Sequence, residues 1–118
     1  MTRRGWLGTV VLFGALAVTL RSVAAEPRVI ELAIRGGTLA SDQRVIRVSQ
    51  GDAVTLRWMS DRALTLHLHG YDLEQRITPG TPATMSFVAR ATGRFAIEVH
   101  AGPSGREATL GYLEVHPR

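Results

Sequence analysis

The residues in this sequence best suited to chemistry are its histidines, and three of the four fall in two short stretches. His67 and His69 stand two apart, and His100 follows some thirty residues later with Glu98 two positions before it. On an extended strand, residues two apart project from the same face, with Cα atoms roughly 6.5–7 Å apart. Two imidazoles at that spacing can close on one ion at metal–nitrogen bonds of about 2.0–2.1 Å. Three imidazoles make a nitrogen-rich site for Cu(II), or for zinc. Glu98 shares the His100 face, so it serves either as a fourth ligand or as an acceptor that orients one ring. Such a site weakens as the pH falls below about 6.5, because an imidazole must be free of its proton to bind a metal. The alternative reading is plainer: these are surface polar residues on the solvent side of half-buried strands. His116, next to Pro117, reads as a bystander.

Other chemistries lack their residues. There is no cysteine. That excludes a disulfide framework, a cysteine zinc site, an iron–sulfur cluster, a thiol nucleophile and the trigonal blue-copper site, which needs a thiolate. No Ser-His-Asp order and no paired carboxylates stand out, and Gly36-Gly37 lacks the following helix of a phosphate loop. Met59 and Met85 read as packing residues, Met59 on the face opposite Trp58.

The elements that hold the histidines are strands. Stretches 29–35, 44–48, 53–59, 64–69, 83–89, 94–100 and 109–115 alternate apolar and polar residues or are short and β-branched. Gly, Pro and Asp turns divide them, as at Gln50-Gly51-Asp52, Pro79-Gly80 and Thr92-Gly93. Leu64, Leu66 and Leu68 face one way, and Thr65, His67 and His69 the other. Phe95, Ile97 and Val99 oppose Ala96, Glu98 and His100. Residues 73–77 fit a turn of helix, and 101–106 a loop. Trp58, Phe87 and Phe95 are expected in the core, and Tyr71-Asp72 is expected to fix a strand exit by side-chain hydrogen bonds. Seven such strands predict an all-β, antiparallel Greek-key β-sandwich.

The 118 residues suffice for one domain plus an appendage. All 14 basic residues are Arg. From Glu26 onward eleven Arg face ten acids, a net charge of +1. These Arg are scattered, and a nucleic-acid binder needs a concentrated cationic surface, so that class is set aside. Before Glu26 the pattern changes. Arg3-Arg4 is a basic start, residues 6–20 are uncharged and mostly apolar, and Val23 and Ala25 are small residues suitably placed for cleavage before Glu26. This is the three-part pattern of a secretory signal over residues 1–25, leaving a domain at 26–118. An uncleaved anchor is the alternative, and a membrane contact is expected only then; the run is shorter than the roughly 20 residues of a spanning helix. Either way the domain is expected to be periplasmic or secreted, where proteins meet copper.

Several segments, in order, resemble the cupredoxin family over most of residues 29–117. Val48, Gly51, Asp52, Val54 and Leu56 look like that family's V-x-x-G-D-x-V-x-L run. Residues 67–72 sit where its first copper-ligand histidine occurs. Pro79-Gly80, Phe87 and Gly93-Arg94-Phe95 resemble the approach to its ligand loop, and Gly111, Leu113 and Val115 its closing strand. The resemblance implies the fold, and it implies that the strand ending at His100 lies beside the strand of His67. It does not supply the ligands. The family's cysteine falls on Val99, its second histidine on Gly102 and its axial methionine on Thr109; only His67 matches.

The expectation is therefore an exported cupredoxin-like protein that binds copper through His67, His69, His100 and Glu98. Its role would be copper storage, trafficking or resistance, without a blue electron-transfer site and without catalysis. A protein partner in copper handling or oxidase assembly is expected alongside the copper ion. One rival is a metal-free sandwich that binds a protein. Another is an enzyme that activates water or oxygen at an open three-histidine site, for which 93 residues leave little room above a sandwich.

Overall fold

The structure, a computed structural model, describes residues 5, 7–19, 26–101 and 105–118. Eight strands follow one another: β1 (Arg28–Ile34), β2 (Val45–Ser49), β3 (Ala53–Ser60), β4 (Leu64–Leu68), β5 (Leu73–Ile77), β6 (Ala83–Val88), β7 (Gly93–Ala101) and β8 (Arg106–His116). They form two sheets, ordered β1-β3-β6 and β2-β8-β7-β4-β5. The alternation read from sequence decides which side chains meet between them. Leu32, Ile34, Val54, Leu56, Trp58 and Met85 come from the first sheet, and Ile46, Val48, Leu64, Leu66, Leu68, Ile77, Ile97, Val99, Leu113 and Val115 from the second. Each large side chain so buried contributes about 1.5–3 kcal/mol against conformational entropy. No disulfide can share that work, since the chain lacks cysteine.

The β-sandwich expectation holds, with two differences. The sheets are mixed and not purely antiparallel, because β1 pairs with β3 and β2 with β8 in parallel. The reason is the route of the chain. Between β1 and β3 it crosses to the second sheet to form β2, and strands separated by a crossover can run the same way. The second difference is the eighth strand. Residues 73–77 form an edge strand and not a turn of helix; β4 offers them a free ladder, with Leu64 opposite Ile77 and Leu68 opposite Leu73. Five residues are too few to hold a helix alone.

The crossovers are tied down locally. Asp52 accepts from the Ser49 amide at 2.9 Å, closing the turn between β2 and β3. Tyr71 donates to the Ala91 carbonyl at 2.8 Å and accepts from the Ala91 amide at 3.2 Å, fastening the β4–β5 turn to the β6–β7 crossover. Its ring packs against Phe87 and Phe95, which are partly buried at the rim of the core. Gly70 beside it has φ +80°, and a Cβ there would fall inside the Phe95 ring. Trp58 is fully buried, with an indole N–H that finds no acceptor. Met59, on the opposite face, is partly exposed as expected.

Residues 7–19 carry no helix or strand, and their side chains are exposed. Among the described residues no helix is long and apolar enough to cross a membrane. The basic start at Arg3-Arg4 and the cleavage residues Val23 and Ala25 lie outside the described residues.

Candidate metal centre

The second sheet carries all four histidines on strands or in the turn that follows β4. Leu64, Leu66 and Leu68 take the inward positions of β4, so Thr65 and His67 project from the outer face, and His69 continues that face into the turn. On β7 the inward Ile97 and Val99 send Glu98 and His100 to the same outer face. Because β4 and β7 are paired, His67 lies opposite Glu98 and Thr65 opposite His100. The sequence expectation that these two strands are neighbours is met.

The β7–β8 hairpin adds a residue that sequence reading passed over. From Phe95 to Ile97 the register is regular, with Ile97 opposite Gly111; Glu98 then lies opposite Thr109, which leaves Leu110 as the extra residue of a β-bulge. Continued without the bulge, the ladder would set Ala108 against His100. The bulge instead sets Glu107 there. Gly111, next to the bulge, has no room for a side chain: a Cβ on it would stand 2.5 Å from the Arg44 carbonyl oxygen. The sequence expectation began the last strand at Thr109 and so left Glu107 outside it; a hairpin register drawn back from His100 was the one available signal.

Glu98, His100 and Glu107 offer ligand atoms that all lie within 4.8 Å of one another. His100 Nδ1 is 3.6 Å from Glu107 Oε1. His69 reaches Glu98 from the other side, with Nε2 3.0 Å from Oε2. That separation is short enough for a hydrogen bond, but the atoms are poorly aligned for one, and Nε2 is shut off from solvent without a partner. The His69 imidazole beside it holds the Glu98 carboxyl below the usual carboxylate range. The His67 and His69 rings lie 4.3 Å apart, tilted by 49°. His67 Nε2 is 3.7 Å from Asp72 Oδ1. His116 stands at the far end of β8, 3.7 Å from Glu114 and opposite Ser49.

The four expected ligands are thus on one face but do not form one cluster. Glu98 and His100 converge with Glu107; His67 and His69 make a pair that meets the group through Glu98. Chemically the strip is imidazole and carboxylate. Two carboxylates held this close to each other repel unless a cation or proton lies between them, and nitrogen and oxygen donors together suit Cu(II) or zinc. The blue-copper donor set does not fit. Val99, at the cysteine position, is buried in the core opposite Leu66, and Thr109, at the methionine position, pairs with Glu98. Gly102 lies outside the described residues.

No family model matches the chain, and no curated protein does. Solved structures do. One is a haem-copper terminal oxidase dimer, at TM-score 0.60 and 19% identity over 75% of this chain and 65% of that one. Another is the blue copper oxidase from Nitrosomonas europaea, at 0.57 and 23% over 79% of this chain and 40% of that one. A third is a copper-binding protein solved in its apo form, at 0.59 and 10% over 76% of this chain and 88% of that one. The chain spans less than two thirds of the two oxidases. At these identities the likeness establishes the fold, which is cupredoxin-like.

Proposed function

We propose that this protein is exported and holds copper on the outer face of its five-stranded sheet, for storage, trafficking or resistance. The observation that carries the reading is the convergence of Glu98, His100 and Glu107, from two adjacent strands, within 4.8 Å. His69 strengthens it with a solvent-shielded nitrogen that lacks an aligned partner beside Glu98. The donor set favours Cu(II), with zinc as competitor, and disfavours the thiolate-seeking Cu(I). The names of the structural neighbours, several of them copper proteins, point the same way. The site is an open sheet face, with the His69 and His100 side chains 43% and 33% exposed. Such a surface suits an ion that is held and passed on to a protein partner, and it encloses no substrate.

The test is a Cu(II) titration of the full chain against a competing chelator. Stoichiometric binding is expected, with nitrogen/oxygen signatures in electron paramagnetic resonance and no intense blue band. Removing His100 should cost most of the affinity at its ion, and His116→Ala should cost almost none. No stoichiometric binding by the wild type would leave the second reading, a metal-free interaction module. One observation favours that reading: each outer-face imidazole already has a carboxylate, His67 with Asp72, His69 with Glu98 and His100 with Glu107. Export rests on the pattern of residues 1–25. The mass of the protein recovered from an exporting host should correspond to a chain beginning at Glu26; a full-length membrane-bound species would identify an anchor instead.

A further inference from the structure

The last strand outruns its neighbour. β8 runs from Arg106 to His116, but β2 begins at Val45 and pairs with it only from Tyr112 onward. Before Val45 the chain leaves the sheet into a 3-10 turn at Ser41–Gln43. Among the described residues, 106–111 therefore have β7 on one side and no strand on the other. We infer that an extended, acidic segment of a partner protein adds to this free edge as a strand, seated in the arginine-lined groove beside it. The groove and its charge do not depend on copper; that the occupant exchanges copper rests on the reading above.

Three observations carry it. First, the edge is open. On the β2 side the ladder stops where the Tyr112 amide donates to the Arg44 carbonyl at 2.8 Å, and among the described residues no loop backbone hydrogen-bonds to 106–111. A strand edge left this way is a template for another chain unless proline, a short length or a cover blunts it. Residues 106–111 contain no proline, and the bulge at Leu110 leaves Arg106–Thr109 exposed before it. Second, the adjoining groove selects the charge of what fills it. It measures about 550 Å³, opens where β2 gives out, and is lined in part by Thr38, Arg44, Arg94, Thr109, Leu110 and Tyr112 and by no acidic residue. Both guanidinium groups are held without being neutralised. Arg44 Nε donates to the Leu39 carbonyl at 3.2 Å, and the Arg94 guanidinium lies 4.0 Å from the centre of the Tyr112 ring. Among the described residues neither forms an ion pair, whereas Arg47, Arg57, Arg62 and Arg118 do. A guanidinium already fixed loses little freedom on meeting a carboxylate. Two copies of this chain paired along their β8 edges would bring like charges together, so an acidic partner fits where a second copy does not. Third, the groove abuts the candidate metal centre. Thr109 lines it and lies opposite Glu98, and Glu107 stands on the same strand opposite His100. A strand added to β8 would lie about 4.8 Å from it, which puts the partner's side chains within reach of the Glu98–His100–Glu107 group. In strand addition the main chain supplies affinity and the side-chain pockets supply specificity.

The experiment titrates the full-length chain, free of metal, with a short capped peptide of alternating Thr and Glu, and in parallel with one of alternating Thr and Lys. Amide resonances and amide hydrogen exchange are followed residue by residue. The Glu peptide should bind, shift the resonances of Arg44, Val45 and residues 106–112, and slow exchange within 106–111; the Lys peptide should do neither. Arg44→Ala and Arg94→Ala should each weaken the Glu peptide about fivefold, the upper end for an exposed ion pair, and added salt should weaken it further. Arg57→Ala, on the other sheet, should leave it unchanged. Circular dichroism checks that each variant retains its strands. Failure of the Glu peptide to bind, equal binding of the two peptides, binding that neither arginine variant weakens, or binding without new exchange protection in 106–111 overturns the proposal, and each leaves the copper reading intact. Peptide binding by a chain that takes up no copper upholds the acidic strand and overturns its role in copper exchange.

Discussion

The two sheets turn very different faces to solvent. On the outer side of β1-β3-β6, polar groups answer one another: Glu31 lies opposite Arg57 with their charges 4.0 Å apart, and Thr55 and Ser86 share a hydrogen bond at 3.1 Å. On the outer side of the five-stranded sheet, successive register rows read Glu74–His67–Glu98–Thr109 and Arg76–Thr65–His100–Glu107. Carboxylates and imidazoles crowd together, and one buried imidazole nitrogen, His69 Nε2, makes no hydrogen bond. Both sheets contribute fully buried residues to the core. A face that is self-satisfied serves the fold; a face with surplus donors, close enough to act together, is available to a ligand.

The largest expected effect tests whether the interior is independent of that ligand face. Trp58→Ala empties the centre of the three-stranded sheet and should cost about 3–5 kcal/mol in urea unfolding. Trp58→Phe should cost less, because it also removes an indole N–H that has no acceptor. Copper stoichiometry of the folded fraction should be unchanged in both; a change would mean that the two regions are coupled and the comparison fails.

Acid should separate the faces next. Asp61, whose carboxylate accepts from the Gly36 amide at 2.9 Å, is held below its usual range chiefly by that hydrogen bond, and Glu98 chiefly by His69. A carboxyl depressed in the folded state contributes stability above its ordinary pKa, about 4 for these acids, and loses it as the pH falls through the depressed value. The contribution of these two carboxyls should therefore be level above about pH 4 and decline below it. Asp61→Asn should flatten that decline without touching copper binding. Glu98→Gln should flatten it and weaken copper together.

The smallest effect sharpens the claim that the three-stranded face is ordinary surface. Arg57→Ala breaks a solvent-exposed ion pair and should change stability by no more than about 0.5 kcal/mol. Copper binding should not move. A large change in either would show that this face, too, has a task.

Sequence alternation alone placed the strand interiors correctly, because the period of two is a local property of the extended chain. Leu64, Leu66 and Leu68 had to face one way and His67 and His69 the other, whatever the partner strand. It also excluded a thiolate copper centre, since that depends only on composition. Two elements escaped it. The edge strand at 73–77 is β because β4 offers it hydrogen bonds, and nothing within five residues says so. Glu107 joins the site because a bulge at Leu110 shifts the β7–β8 register by one residue. A bulge moves every residue before it by one position along the partner strand. The sequence by itself determined that His67 and His69 would share one strand face and Glu98 and His100 another. Tertiary structure decided which of them meet, because the register between strands is set by contacts distant in the chain and is invisible in the pattern of either strand.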